Sequence, residues 1–160
     1  MTVLISDNQK LKVNKARLIR SANYIVKQQF SKPFELSILL TDPDHIQDIN
    51  ANFRKKNRPT DVLSFAMLDS ADQDLPAGQK ALLGDVIICP EYIEKDAGSF
   101  RRSEKSVEGK RLSPLDLEIL RRLIHGILHL FGYDHGNDPE LRKMSEREDE
   151  LLQKVISECW

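Results

Sequence analysis

The segment that most constrains the fold is residues 113–131, where four polar residues fall in one narrow stripe. Ser113 and Pro114 are typical of a helix N-cap and first helical position, and Gly132 is typical of a helix stop. Apolar residues cover most of the circumference, which predicts a largely buried helix. Four polar residues lie within a stripe about 60° wide: Glu118, Arg122, His125 and His129. Because burying such groups unpaired is costly, the stripe must meet water, a counter-charge or a metal ion.

The rest of the chain predicts alternating strands and helices. Apolar and β-branched runs predict four strands, at residues 2–6, 35–41, 62–66 and 82–89. Apolar residues at helical spacing predict four further helices, at residues 13–30, 42–53, 90–98 and from 138 onward. We therefore expect one α+β domain spanning residues 1–160, with a small mixed β-sheet of about four strands packed against helices.

The composition excludes several classes of protein. With 40% hydrophobic residues, 31% charged residues and a net charge of -1, it is typical of a globular domain. Apolar runs are far shorter than the roughly 20 residues of a spanning helix, and the first ten residues lack a signal-peptide layout. Two cysteines do not form a disulfide framework. We expect a cytoplasmic protein in which any nucleic-acid binding comes from a local basic patch.

Three of the four histidines lie in HGILHLFGYDH, residues 125–135. His125 and His129 are four residues apart and so lie one turn above the other on one helix face. Gly132 can reverse the chain after the helix, so that His135 returns towards the other two. Two histidines at this spacing alone would favour unrelated core and surface residues. The third one, behind a glycine stop, favours a catalytic zinc site with an open fourth position.

The same spacing occurs in the metzincin proteases, H-E-x-x-H-x-x-G-x-x-H, so we expect a metal-site helix like that of the zincins. In those proteases the glutamate after the first histidine acts as the general base. Here that position is Gly126. The sequence therefore predicts a zinc site without the usual peptide-cleaving mechanism.

Three segments carry a resemblance to a known family, and they occur in that family's order. The segments are NFRKKNRPTDVLSFA (52–66), LLGDVIIC (82–89) and HGILHLFGYDH (125–135). Together they resemble the YbeY family of rRNA maturation factors and single-strand-specific endoribonucleases. Ala66 departs from the proline that the family usually has after PTDVLSF, and the segments 69–79 and 99–112 vary in length within the family. These departures do not involve the proposed metal ligands.

The resemblance implies a function and assigns roles to several residues. It implies a zinc ion held by His125, His129 and His135. It also implies RNA cleavage in small-subunit rRNA 3′-end maturation and ribosome quality control, with ribosomal RNA and the ribosome as partners. Arg54, in the aromatic-arginine pair Phe53-Arg54, would then contribute to catalysis or RNA binding.

A basic patch supports RNA binding independently of the resemblance. Residues 49–60 carry four basic side chains and no acidic one: Arg54, Lys55, Lys56 and Arg58. Such a patch can neutralise RNA phosphates. Pro59-Thr60-Asp61 should fix this loop against the following strand, so that Arg54 is held over a metal-bound phosphate and stabilises the charge that develops there. A second basic stretch, 101–111, is interpreted as a solvated face.

Three other residues have weaker assignments. Asp134 is interpreted as a carboxylate that orients a histidine, rather than as the general base. Asp85 interrupts an apolar strand, which is compatible with a substrate-facing residue or with a turn or cap. The ring of Tyr133 is expected to pack beside the glycine stop rather than to stack on a base.

Three interpretations of the zinc site remain open. The first is an endoribonuclease, the second a metallopeptidase-like zinc hydrolase, and the third a non-catalytic ribosome-assembly factor with structural zinc. Gly126 and the acid-free loop around Arg54 argue against the second. The open coordination position argues against the third, because structural zinc normally has four protein ligands.

Overall fold

The structure is a computed structural model that describes residues 2–69, 75–96 and 112–160. The following elements lie in those ranges: β1 (Thr2–Asn8), α1 (Lys15–Lys27), β2 (Phe34–Thr41), α2 (Pro43–Arg54), β3 (Val62–Ala66), β4 (Ala81–Ile88), α3 (Pro90–Asp96), α4 (Pro114–Leu130) and α5 (Asp138–Cys159). The predicted α+β class is confirmed. Every predicted strand and helix has a counterpart among these elements. The helix end predicted at Gly98 and the basic stretch 101–111 lie outside the described residues.

The four strands form one mixed sheet in the order β1-β2-β4-β3. β1, β2 and β4 run parallel, and β3 pairs antiparallel with β4 at the edge of the sheet. Gly84 in β4 allows β3 to approach closely. It has a φ of +128°, and a Cβ atom there would lie 2.0 Å from the carbonyl oxygen of Phe65. Only glycine fits this conformation and this spacing.

Helices cover both faces of the sheet. On one face α1 and α4 pack against the sheet and α5 packs against these two helices, which together form the main hydrophobic core of the described residues. On the other face α2 forms a smaller cluster with β3 and β4, which includes Ile46, Leu63, Ile87 and Cys89. Within the described ranges, the helices are too short or too polar to cross a lipid bilayer.

α4 lies directly on the sheet next to β3. The Ser113 hydroxyl accepts a hydrogen bond from the Asp116 N–H at 3.0 Å, which caps the helix as the sequence predicts. At Gly126, a Cβ atom would lie only 2.8 Å from Val86 Cγ1. The missing side chain therefore allows α4 to approach β4. This approach places the histidines of α4 beside the β3 edge of the sheet.

Candidate metal centre and basic cleft

The N-terminal half of the polar stripe on α4 is satisfied by counter-charges. The Arg122 guanidinium donates through Nε to Asp61 Oδ2 at 2.9 Å and through Nη1 to Glu118 Oε2. Asp61 also accepts the backbone N–H of Val62 through Oδ1, at 2.8 Å. These half-buried groups connect α4 to the start of β3. Arg122 and Glu118 thus have a structural role, which leaves the two histidines as the chemically available part of the stripe.

The three histidines of the predicted zinc site come together in space. The Nε2 atoms of His125 and His129 lie 3.0 Å apart. One ligand atom from each of His125, His129 and His135 can be chosen so that all three lie within 4.8 Å of one another. Gly132, with a φ of +86°, makes the reversal after α4 that returns His135 to the helix. The three rings are therefore positioned to share one ion.

Hydrogen bonds at Nδ1, the nitrogen that points away from the other histidines, fix the tautomers of two of these rings. His129 Nδ1 donates to the carbonyl oxygen of Tyr133 at 2.7 Å, since a carbonyl can only accept. His125 Nδ1 donates to Glu148 Oε1 at 2.8 Å. In the neutral rings both Nε2 atoms then carry lone pairs, and these face each other at 3.0 Å. Such lone pairs repel unless a cation lies between them, so the donor set fits a metal ion.

The protonation state of His129 also suits metal binding. Burial lowers the pKa of His129 below its ordinary value, and the neighbouring His125 lowers it further. The neutral imidazole is therefore favoured at neutral pH. Since only the neutral ring can coordinate a metal, fewer protons compete with the ion at this ligand.

Glu148 is a further candidate site residue, which the sequence analysis did not identify. It lies on α5 and holds His125 through the hydrogen bond described above. Its position in the sequence could have indicated a buried contact, because Glu148 is four residues from Met144 and four from Leu152. Both of these residues are buried on the apolar face of α5. An acidic residue on that face needs a buried partner, and the unassigned partner was His125.

Asp134 does not have the orienting contact that the sequence suggested for it. Its carboxylate accepts the backbone N–H of His135 at 2.7 Å. The outer nitrogens of His125 and His129 are instead taken by Glu148 and by the carbonyl of Tyr133. The ring of Tyr133 packs partly buried against the main core, as expected.

A cleft of about 190 Å³ opens beside the histidines. Its basic lining residues are three of the four predicted in the patch, namely Arg54, Lys56 and Arg58. Lys55 is not part of that lining. It adopts a left-handed conformation with a φ of 56° and ends helix α2. The structure thus places three cationic side chains and three histidines around one cavity.

Backbone contacts hold the basic wall of this cleft in place. The buried Asn50 donates through Nδ2 to the carbonyl oxygen of Arg58 at 2.9 Å and accepts the backbone N–H of Lys56 at 3.2 Å. Arg54 Nη2 donates to the carbonyl oxygen of Ser64 on β3 at 3.0 Å. The guanidinium is thereby anchored to the sheet edge, and within the described ranges its other N–H groups are left to bind an anion.

Asp85 lies away from the histidines. It pairs in register with Ser37 and Phe65, whereas its neighbour Val86 contacts α4 at Gly126. Because successive side chains of a strand alternate, Asp85 belongs to the opposite face of the sheet. The structure does not bring it to the candidate metal centre.

The fold and the site together define an α+β protein with a three-histidine cluster that could hold a metal ion, beside a cleft lined by three cationic side chains. The chain matches the family model described as Endoribonuclease YbeY over residues 4–156. It belongs to the YbeY family. This membership confirms the family resemblance and the prediction of a hydrolytic endoribonuclease.

Two relatives and one solved structure illustrate the similarity of the chain to known proteins. It is 37% identical over 153 residues to Endoribonuclease YbeY of Syntrophotalea carbinolica, which covers 94% of this chain and 91% of that protein. It is 35% identical over 128 residues to Endoribonuclease YbeY of Magnetococcus marinus, covering 77% and 80% respectively. The solution structure of TM1509 from Thermotoga maritima matches with a TM-score of 0.63 and 27% identity, over 98% of this chain and 91% of that one.

Proposed function

We propose that the chain is a zinc-dependent, single-strand-specific endoribonuclease whose catalytic domain spans residues 1–160. The observation that carries this proposal is that two groups of side chains line one cleft. The first group is His125, His129 and His135, and the second is Arg54, Lys56 and Arg58. A metal site and a set of cations on one cavity suit the hydrolysis of a phosphodiester, which is anionic before and during the reaction.

Each residue has a distinct role in this proposal. His125, His129 and His135 would hold zinc, and Glu148 would keep the His125 ring in its coordinating orientation. Zinc, when bound, supplies a Lewis acid for a phosphate oxygen or an acidified water. Arg54, anchored on Ser64, would donate its remaining N–H groups to the phosphate and stabilise the negative charge that develops there.

The features of the cleft support single-stranded RNA as the substrate, and the family resemblance supports the cellular setting. Lys56 and Arg58 would bind phosphates that flank the cleaved bond. A flexible single strand can bend its backbone into a small cleft, which a stacked duplex cannot do. Small-subunit rRNA 3′-end maturation and ribosome quality control are the processes that the family resemblance implies. Ribosomal RNA as substrate would place the enzyme in the cytoplasm, with the ribosome as its partner.

Two features argue against the alternative functions. A glutamate at position 126, the base of a metzincin-like peptidase, would start with a Cβ atom 2.8 Å from Val86 Cγ1. The helix could not pack on the sheet in its present position with that residue. Among the described residues, no fourth histidine, cysteine or carboxylate joins the three-histidine group, so an open coordination position distinguishes it from structural zinc.

The test measures bound metal and cleavage of single-stranded RNA on the same protein samples. We expect His129→Ala to lose both zinc and cleavage. Arg54→Ala should keep zinc and lose cleavage by about a hundredfold or more, as for other groups that stabilise transition-state charge. His45→Ala is the matched control. His45 lies in the first turn of α2, its ring contacts Thr41, and it is not part of the cleft lining.

Three outcomes would contradict the proposal. His129→Ala that keeps full zinc would contradict the assigned ligands. Arg54→Ala that cleaves RNA like the intact protein would contradict the role of the arginine. Cleavage of unstructured peptides with RNA left intact would favour the peptidase interpretation instead.

A further inference from the structure

A large aromatic side chain is exposed at the rim of the cleft. Phe53, in the last turn of α2, exposes 71% of its surface. Its ring packs edge-on against that of Phe65, with 5.4 Å between the ring centroids and 62° between the planes. The guanidinium carbon of Arg54 lies 5.7 Å from the centroid of the Phe65 ring. These three side chains, Phe53, Phe65 and Arg54, form a surface that we name the aromatic platform.

The aromatic platform is continuous with the candidate catalytic cleft. Arg54 and Ser64 both line that cleft, and each is the chain neighbour of one of the two phenylalanines. Phe65 and Ser64 point to opposite faces of β3, which is the edge strand of the sheet. A strand of RNA that leaves the cleft and passes around β3 therefore reaches the aromatic platform at once, because Phe53 and Phe65 adjoin cleft-lining residues in the chain.

The platform is held in place from both sides. The Arg54 guanidinium is hydrogen-bonded to the backbone of β3, and it also lies over the Phe65 ring. The chain reverses immediately after Arg54 at Lys55, and Lys56 returns to bond the carbonyl oxygen of Asn50. The backbone at Phe53 is thus fixed and its ring contacts Phe65, while most of its surface faces solvent.

Single exposed apolar residues are common and need no ligand. Phe53 differs because an exposed ring, a fixed arginine and a basic wall occur on one continuous surface. Proteins that bind single-stranded RNA combine these same features, since bases stack on aromatic rings and arginine planes while cations track the phosphates. The charge of the wall favours a polyanion over an apolar protein segment as the occupant.

We propose that the aromatic platform is a base-stacking subsite, in which Phe53 receives one unpaired nucleobase close to the cleaved phosphate. The inference rests on the proposed function and adds a position-specific substrate contact to it. A base within a duplex is already stacked and paired, so it cannot occupy the ring of Phe53. The subsite therefore contributes to single-strand specificity in addition to binding.

The test combines protein variants with RNA in which single bases are deleted. A short unstructured oligoribonucleotide is prepared with an abasic site at each position in turn, and its binding and cleavage are measured. For the intact protein, we expect one position near the cleaved bond where the abasic site weakens the interaction about tenfold or more. With Phe53→Ala the intact RNA should bind correspondingly more weakly, and the abasic site at that position should have no further effect.

Conservative variants separate stacking from general packing. Phe53→Trp should restore binding and the position-specific effect, whereas Phe53→Leu, which keeps an apolar side chain without a ring, should behave like Phe53→Ala. The matched control is Leu4→Ala, because Leu4 is 49% exposed on β1 at the opposite edge of the sheet. This control should have the RNA profile of the intact protein.

Distinct outcomes overturn the subsite and the proposed function. If intact protein cleaves RNA and Phe53→Ala has the same affinity and abasic profile, the platform is wrong while the proposed function stands. If Phe53→Ala impairs cleavage in ribosomal particles but not of naked RNA, the surface binds a ribosomal protein and the subsite is again wrong. If the intact protein neither binds nor cleaves any RNA, both proposals are wrong.

Discussion

Glu148 is not one of the three proposed metal ligands, but it contacts one of them, His125. It receives the Nδ1 proton of His125 at 2.8 Å and so leaves Nε2 of that ring unprotonated. An acceptor at this position also fixes the ring orientation. We predict that Glu148→Ala weakens zinc binding by about 10- to 100-fold, with cleavage falling in parallel at limiting zinc. Competition with a chromogenic chelator measures the affinity directly.

The control for this prediction lies on the same helix. Glu146 is exposed on α5, two residues away, so Glu146→Ala removes the same charge without touching His125. It should bind zinc like the intact protein. Glu148→Gln should show a smaller loss than Glu148→Ala, since the amide oxygen can still accept the bond. Equal zinc affinities for Glu148→Ala and Glu146→Ala would exclude the orienting role.

At the level of single residues, the sequence predicts the three histidines but not their supports. Their spacing on one helix and the glycine stop place them together with no knowledge of the tertiary fold. The contacts of Glu148 and Asp61 depend on how α5 and the start of β3 pack against α4. Such long-range pairings are not contained in local periodicity, although an acid on the apolar face of α5 indicated a buried partner.

Among the elements, the packing of α4 on β4 decides where the site forms. In the sequence, Gly126 occupies the position that the glutamate base has in the metzincin motif. In the structure, the absence of a side chain at this position lets α4 pack closely on β4. A Cβ atom at this position would lie 2.8 Å from Val86 Cγ1 and 3.5 Å from Val62 Cγ2. We predict that Gly126→Ala lowers the free energy of unfolding by about 1–3 kcal/mol through overpacking. Urea unfolding of the metal-free protein measures this loss.

A second substitution distinguishes the steric cause from a general helix effect. Val86→Ala removes the atoms that a Cβ at position 126 would meet. The double variant should therefore lose less stability than the sum of the two single variants, which a double-mutant cycle measures. Gly132→Ala is an unsuitable control because of its positive φ. Strict additivity of Gly126→Ala and Val86→Ala would contradict the close packing.

The extents of the elements were predictable, but the arrangement of the strands was not. Alternating and helical patterns marked all four strands and five helices of the described residues to within a few positions. The order β1-β2-β4-β3, with β3 reversed at the edge, depends on long-range pairing and on the close approach at Gly84. That order is what brings the basic loop before β3 to the side of α4.

For the whole molecule, the candidate function depends on two distant segments that share one cavity. Arg54 and His125 are about seventy positions apart in the chain, yet both line a cleft of about 190 Å³. From the sequence, their proximity was expected from the family resemblance and from a loop fixed by Pro59-Thr60-Asp61. Neither gave the connection itself, which runs through the pairing of β3 and the packing of α4. The structure supplies this missing link through the Arg54 bond to Ser64 and the Arg122 bond to Asp61.

Removal and return of the metal test the proposed zinc dependence most directly. The purified chain is stripped with a chelator and dialysed, and cleavage of a single-stranded RNA is followed as zinc is added back. We predict that the stripped protein is inactive and that activity returns with about one zinc ion per chain, while His129→Ala stays inactive throughout. Undiminished RNA cleavage by the metal-free protein would contradict the proposed mechanism.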